Sequence, residues 1–278
     1  MPVEMESASG RSMMRVFLLG NGSKPEVGPV FASLKSRLPA ICDMSGAVLG
    51  PDYPAAVAAR PDMIAVVGGD GTLIAAARGT VGSGIPLAGV NAGKLGFLAD
   101  FTERELADAI SSGSISFSAR MMLNVHLVSS GKTTFRSAAA NDCVVRDPLA
   151  MLRMEIELDG VHLTDMGSDG VIVCTPSGST AYNLAAGGPL LEPGISAMVL
   201  APICPHRLTF RPLVVEASRT VSIRPTTPCH LIIDGQPPVQ VGAGDTVTVA
   251  KHRSTFLLAQ NTLHPAWHAM RTKLNWGK

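Results

Sequence analysis

The sequence predicts a two-part α/β plus β fold: an N-terminal doubly wound parallel α/β domain and a C-terminal, mostly-β sandwich domain. Three observations carry this reading. Up to about residue 113, apolar strand-like runs alternate with stretches of helical spacing, the pattern of a parallel sheet wrapped by helices. Beyond that point short β-like runs recur between turn signals, and helical periodicity is confined to 179–186 and 260–275. Two Gly-rich turns fall where strands of the first part end, which is where open α/β sheets bind ligands. The expected division is 1–113, completed by 256–278, for the α/β domain and 114–255 for the β-rich domain.

The elements follow in order. Met1–Met14 contains Glu4 and Glu6 and lacks an apolar core, so it reads as a loose leader and not a signal peptide. Arg15–Gly20 is a strand and 20–25, Gly-Asn-Gly-Ser-Lys-Pro, the turn after it. Val27, Val30, Phe31, Leu34 and Leu38 stand at helical spacing within 26–38. A buried strand at Met63–Val67 leads to a helix over Leu73–Arg78, then a strand over Pro86–Val90. Thr102 opens a helix to Ser111, with Glu105 completing a capping box. In the second part, strands are expected at 124–128, 143–145, 154–158, 171–174, 213–215, 221–224, 231–233 and 247–250. Asp159-Gly160 and Asp234-Gly235 are hairpin-type dipeptides.

Composition excludes several classes. The chain has 278 residues, 46% hydrophobic, with a formal net charge of +1, which fits a globular protein and gives no electrostatic reason to expect nucleic acid or an anionic membrane as partner. No apolar run approaches the roughly 20 residues needed to span a bilayer. Five dispersed cysteines without a Cys-x-x-Cys pair point to reduced thiols in a cytoplasmic protein. His264 and His268 stand four apart without the glutamate a zincin requires, so no protein-borne metal site is expected.

Four segments carry chemistry. In Gly68-Gly-Asp-Gly-Thr72, a strand-to-helix turn, the glycines let backbone N–H groups approach a phosphate and the helix start favours negative charge. Asp70 would repel that phosphate unless it accepts a proton or faces a metal ion, so the turn points to phosphoryl transfer to a hydroxyl. The same residues also suit a plain acidic turn. The second segment, Gly89 to Phe97, fails as a Walker loop: only three residues separate Gly89 from Gly93-Lys94, and Leu95 stands where Ser or Thr must bind magnesium. It reads instead as a loop bringing Asn91 beside Asp70. The third, Asp169-Gly170 through Thr175-Pro-Ser-Gly-Ser-Thr-Ala-Tyr182-Asn183, offers hydroxyls, an aromatic ring and a helix start that Ser179 or Thr180 could cap: a nucleotide pocket, or simply a capped helix. The fourth is Asn141-Asp142, where Asn suits an adenine edge and Asp suits ribose hydroxyls, though alone it is an ordinary turn. Arg153 and Gln236 are weak signals by themselves.

Taken together, these segments resemble the NAD kinase family. The order is Gly68-Gly-Asp-Gly-Thr72, Asn91-x-Gly-x-Leu-Gly-Phe97, the Asn141-acid pair, Asp169-Gly170, Thr175–Tyr182 and Gly187-Gly-Pro189. Then come Pro205-His-Arg-Leu208, Arg211-Pro-Leu213, Asp234-Gly-Gln236 and Arg271-Thr-Lys-Leu-Asn-Trp276. The resemblance implies transfer of the γ-phosphoryl group of ATP, or of polyphosphate in some members, to the 2′-hydroxyl of the adenosine ribose of NAD. It makes Asp70 the proton acceptor and Gly71 a backbone contact, with Gly68, Gly69, Thr72 and Asn91 around them. Asn141 and Thr180 would hold adenine, Asp142 the ribose hydroxyls near the nicotinamide, and Asp169 the carboxamide. Ala181 and Tyr182 would pack on the dinucleotide, with Ser177, Asn183, Leu184 and Ala185 in the same segment and Arg153 and Gln236 as further contacts. It also implies Mg²⁺, or another divalent cation, with ATP, and a homodimer or homotetramer. Two residues depart from the family pattern: Asp142 stands where Glu is usual, and Gly167 where many bacterial members carry a basic residue. The rival expectations are a lipid kinase, which shares the Gly-Gly-Asp-Gly turn, and a non-catalytic dinucleotide sensor.

Overall fold

The computed structural model describes residues 13–93, 96–264 and 268–274. The expected leader before residue 13, Lys94 and Leu95 of the rejected Walker reading, residues 265–267 of the expected tail helix, and Asn275 and Trp276 of the tail motif lie outside the described residues. Contacts divide the chain into two units, Met1–Ala119 with Phe256–Lys278, and Arg120–Thr255.

The first unit runs β1 (Arg15–Gly20), α1 (Val27–Arg37), β2 (Asp43–Leu49), α2 (Tyr53–Ala58), β3 (Met63–Val67), α3 (Asp70–Gly79), β4 (Leu87–Val90), α4 (Glu103–Ser112) and β5 (Ser116–Arg120). Its six-stranded sheet has the order β2-β1-β3-β4, then the returning strand Phe256–Gln260, then β5. β1 runs parallel to β2 and β3, β3 to β4, and the returning strand to β4. The continuous apolar runs of β1 and β3 suit strands covered on both faces; all of β3 is buried, and Val16, Leu18, Met63, Ala65 and Val67 join Phe31, Leu34 and Leu106 in one core. β2 and α2 were absent from the sequence expectation. β2 is an edge strand interrupted by Ser45-Gly46, and its glycine is needed because a Cβ there would come within 2.5 Å of the Phe17 ring.

The second unit holds β6 (Leu123–Ser129), β7 (Lys132–Ala139), β8 (Asp142–Arg146), β9 (Leu152–Leu158), β10 (Val161–Ser168), β11 (Gly170–Cys174), α5 (Tyr182–Ala185), β12 (Ala197–Ile203), β13 (Leu213–Glu216), β14 (Val221–Pro225), β15 (Cys229–Ile233), β16 (Val239–Val241) and β17 (Thr246–Lys251). They form two six-stranded sheets, β10-β9-β14-β17-β6-β7 and β13-β12-β11-β8-β15-β16. Inward residues of both, among them Leu123, Val125, Ile156, Val173, Leu200 and Leu231, make one core, so the unit is a sandwich. Asp159 and Gly160 take φ of 53° and 76°, the left-handed pair a two-residue hairpin between β9 and β10 requires.

Four expectations are corrected. α3 starts at Asp70, not after Thr72: Gly69 is its extended N-cap, so Asp70 sits in the first helical turn. The helix over 179–186 is a 3₁₀ turn, Ser177–Thr180, followed by the single turn α5; Ala181, with φ −98° and ψ −129°, breaks the run. Neither Ser179 nor Thr180 caps α5, whose N-cap is Ala181. The tail 260–275 is not one helix: Phe256–Gln260 is β18, and α6 spans His268–Leu274.

Candidate active site

In the first unit, β3 delivers the chain to Gly68, whose N–H donates to Val90 O, so the turn is tied to the end of β4. A Cβ on Gly68 would lie 2.5 Å from Thr72 Oγ1, a contact only glycine avoids. No side chain caps α3, so no side-chain acceptor meets the N–H groups at its positive end. Thr72 is buried, and its hydroxyl has no hydrogen-bond partner. Asp70 turns to the loop after β4: Oδ2 accepts the Phe97 N–H at 2.8 Å, and Oδ1 accepts those of Leu98 at 3.0 Å and Ala99 at 2.9 Å. Each carboxylate oxygen offers two lone pairs, so Oδ2 keeps one for a further proton donor. Asn91 shapes the same loop, its Oδ1 accepting the Gly93 N–H at 2.7 Å. Two cations border this surface: Lys24 Nζ lies 4.0 Å from where a Gly69 Cβ would be, and Lys273 Nζ stands 4.7 Å from the Phe97 ring centroid. Lys24 was legible only as part of a Gly/Pro turn.

In the second unit, a cavity of about 370 Å³ is lined by Asn141, Asp142, Val144, Arg146, Ala181, Tyr182, Ile232, Asp234 and Gly235. Four expected residues therefore meet here: Asn141, Asp142, Ala181 and Tyr182. Asn141 Oδ1 is buried without a hydrogen-bond partner, an unmet acceptor of the kind a ligand donor satisfies. Tyr182 is partly exposed, and its hydroxyl accepts from Arg146 Nη1 at 3.1 Å. Burial first, and the neighbouring Asp234 carboxylate second, push Asp142 up to about 7. The same burial pushes the Cys174 thiol up to about 12.

Other expected residues lie around or away from the cavity. Thr180 is half-buried, its hydroxyl donating to Ser177 O. Ser177 is buried; Asn183 is fully buried and braces the loop, its amide donating to Ser179 O and Pro189 O. Leu184 and Ala185 are in α5 beside it. Asp169 is half-buried between β10 and β11, its N–H donating to Ile203 O. Arg153 is exposed on β9, paired with Gly167 of β10 in the same sheet, and Gln236 is exposed past the Asp234-Gly235 turn; neither lines the cavity. Reading the sequence missed Arg146 and Asp234 as cavity residues, because one sits in an ordinary strand and the other in an ordinary hairpin dipeptide.

A parallel α/β unit with an uncapped helix start behind a Gly-rich turn, and a sandwich with a cavity lined by amide and carboxylate groups, have the features of a nucleotide-dependent kinase. Residues 51–114 match the ATP-NAD kinase N-terminal domain and residues 140–260 the ATP-NAD kinase C-terminal domain. The chain is 41% identical over 229 residues to an NAD kinase of Methylococcus capsulatus, covering 79% of each, and 32% identical over 279 residues to that of Nitrosomonas eutropha, covering 94% of each. Among solved structures, an Archaeoglobus fulgidus NAD kinase in complex with ATP is 26% identical with a TM-score of 0.72, covering 90% of this chain and 94% of that one. Yeast NADH kinase complexed with NADH has a TM-score of 0.82 at 23% identity, covering 97% and 89%, a likeness of fold. The chain belongs to the NAD kinase family. None of these relatives is a lipid kinase, and nothing in the matches favours a non-catalytic sensor.

Proposed function

We propose that the protein transfers the γ-phosphoryl group of ATP to the 2′-hydroxyl of the adenosine ribose of NAD, yielding NADP. The observation that carries the reading is the cavity where the unmet amide oxygen of Asn141 stands beside Asp142 and Tyr182, in a chain that also holds the Gly68–Thr72 helix start. Asn141 and Thr180 address adenine, Asp142 the ribose hydroxyls, Asp169 the carboxamide, and Ala181 and Tyr182 the faces of the dinucleotide. Ser177, Asn183, Leu184 and Ala185 shape that segment, and Arg153 and Gln236 serve as outer contacts. Gly68, Gly69, Gly71, Thr72 and Asn91 belong to the phosphate side.

Asp70 accepts the 2′-hydroxyl proton. A carboxylate is a feeble base toward an alcohol. It suffices when the proton leaves late, as a nearly dissociated phosphoryl group arrives, and the remaining barrier is met by positioning. The three N–H bonds on the carboxylate support this role by fixing the base in place. Among the described residues no group of three His, Cys, Asp or Glu side chains could hold a metal ion. Mg²⁺ is read as part of the substrate, arriving on the phosphates of ATP as that ion ordinarily does.

The assembly is read as a homodimer or homotetramer acting in the cytoplasm. What supports association is the edge strand β13, where Leu213 and Val214 are exposed, as is Leu208 in the segment before it. Among the described residues no helix is long and apolar enough to cross a membrane. Incubating the protein with NAD, ATP and Mg²⁺ and weighing the dinucleotide by mass spectrometry tests the activity. A product heavier by one phosphoryl group is expected, and unchanged NAD would refute the reading; polyphosphate or NADH in parallel settles donor and acceptor preference.

A further inference from the structure

Asp234 and Gly235 take φ of 47° and 68°, as a tight hairpin demands, yet the Asp234 side chain serves a different segment. Its Oδ2 accepts the Ala140 N–H at 2.8 Å, and its Oδ1 accepts those of Asn141 at 2.8 Å and Asp142 at 2.9 Å. The Asp234 N–H donates back to Asp142 O at 3.0 Å. From the other side Thr175 donates its N–H to Asn141 O at 2.8 Å and its hydroxyl to Ala140 O at 2.7 Å. Every backbone polar group of Ala140, Asn141 and Asp142 is thereby engaged. Gly178 closes the third side, where a Cβ would lie 2.1 Å from Asn141 O. With the backbone so committed, the Asn141 and Asp142 side chains are what remains to address the cavity.

A second carboxylate beside a buried one is costly, because like charges in a poorly solvated place repel strongly. A neutral acceptor would spare that cost but could not receive three N–H groups as well as an ionised carboxylate does.

We propose that Asp234 is a positioning residue for dinucleotide recognition: its carboxylate fixes the 140–142 backbone so that Asn141 and Asp142 meet the nucleoside of the substrate in one geometry. This rests on the reading of NAD as that substrate. A second effect follows from its charge. The groups facing Asp142 are Asp234 from the turn after β15, Cys143 beside it, Cys174 opposite it on β11, and Arg146 and Tyr182 across the cavity. Burial and Asp234 bring Asp142 up to about 7, whereas both thiols stay protonated well above neutrality. NAD affinity accordingly strengthens as pH rises through that point, since the ionised carboxylate is the better acceptor for ribose hydroxyls.

Asp234→Asn and Asp234→Glu test the proposal. In Asp234→Asn the amide can no longer receive all three N–H groups, so Kd and KM for NAD rise about tenfold or more while kcat falls less and ATP affinity holds. The pH midpoint of NAD binding shifts downward, a change that a merely structural role would not produce. Asp234→Glu, which keeps the charge, recovers part of the affinity. Hydrogen exchange on the unaltered protein gives a measure independent of variant folding: amides 140–142 are protected without ligand. NAD binding by folded Asp234→Asn within about twofold of the parent at an unmoved midpoint overturns the proposal, as does rapid exchange at these amides. If the parent protein neither binds nor phosphorylates NAD, the activity reading fails instead, and the exchange result still reports on the clasp.

Discussion

Asp70 and Asp142 meet opposite surroundings. Three backbone N–H donors converge on Asp70 and fix its carboxylate, whereas Asp142 is buried beside a second carboxylate that opposes its ionisation. Removing the proton-accepting oxygen in Asp70→Asn should lower kcat by about 10² or more while leaving NAD binding, followed by calorimetry, largely intact. A near-parental rate would remove Asp70 from the role of base. For Asp142 the consequence is one of stability. Its folded-state pKa of about 7 stands above the ordinary carboxylate value, so the stability is full below about pH 4 and is lost as pH rises through 7. Asp142→Asn removes that loss. Urea unfolding should find the variant more stable than the parent at pH 8, by on the order of 2–4 kcal/mol, and the two alike at pH 4.

At the scale of elements, features made from neighbouring residues were legible in the sequence and those made across long separations were not. The α4 start shows the first kind: Thr102 Oγ1 accepts the Glu105 N–H at 3.2 Å and Glu105 Oε2 accepts the Thr102 N–H at 2.8 Å, a capping box written in four consecutive residues. Thr102→Ala should cost about 1 kcal/mol in urea unfolding, and no change would mean that Glu105 caps alone. The Asn141-Asp142 pair was visible as a motif, but the carboxylate that holds it stands 93 and 92 residues away, so no local pattern announces it. β12 was hidden for another reason. Pro202 argues against an interior strand, yet β12 lies between β11 and β13 with Pro202 opposite Val171. β7, with Lys132, Thr133, Thr134 and Arg136, is an edge strand whose polar residues mask its period. The 177–185 segment has the hydroxyls and small residues of a helix start, but its side chains are spent on internal bonds such as Ser179 Oγ to Pro176 O at 2.7 Å.

At the scale of the molecule, the return of the chain at Phe256 matters most. The expectation that 256–278 completes the first domain named no strand there, and Phe256–Gln260 lies inside the sheet, between β4 and β5. Asn261 and His264 fasten the segment beyond it, Asn261 Nδ2 donating to Asp100 O at 3.0 Å and His264 Nδ1 lying 2.7 Å from Asp100 Oδ1. Truncation after Thr255 should therefore abolish protection of β3 and β4 in hydrogen exchange while the strands of the sandwich keep theirs; equal protection in both forms would show that the strand is dispensable. On the ribosome the consequence is one of timing. All of the sandwich unit emerges before Phe256, so it is complete in sequence while the first sheet still lacks an inner strand. The unit that is second along the chain is thus the first able to finish folding, and β4 waits with an unpaired, apolar edge that a chaperone, or a neighbouring nascent chain, could engage.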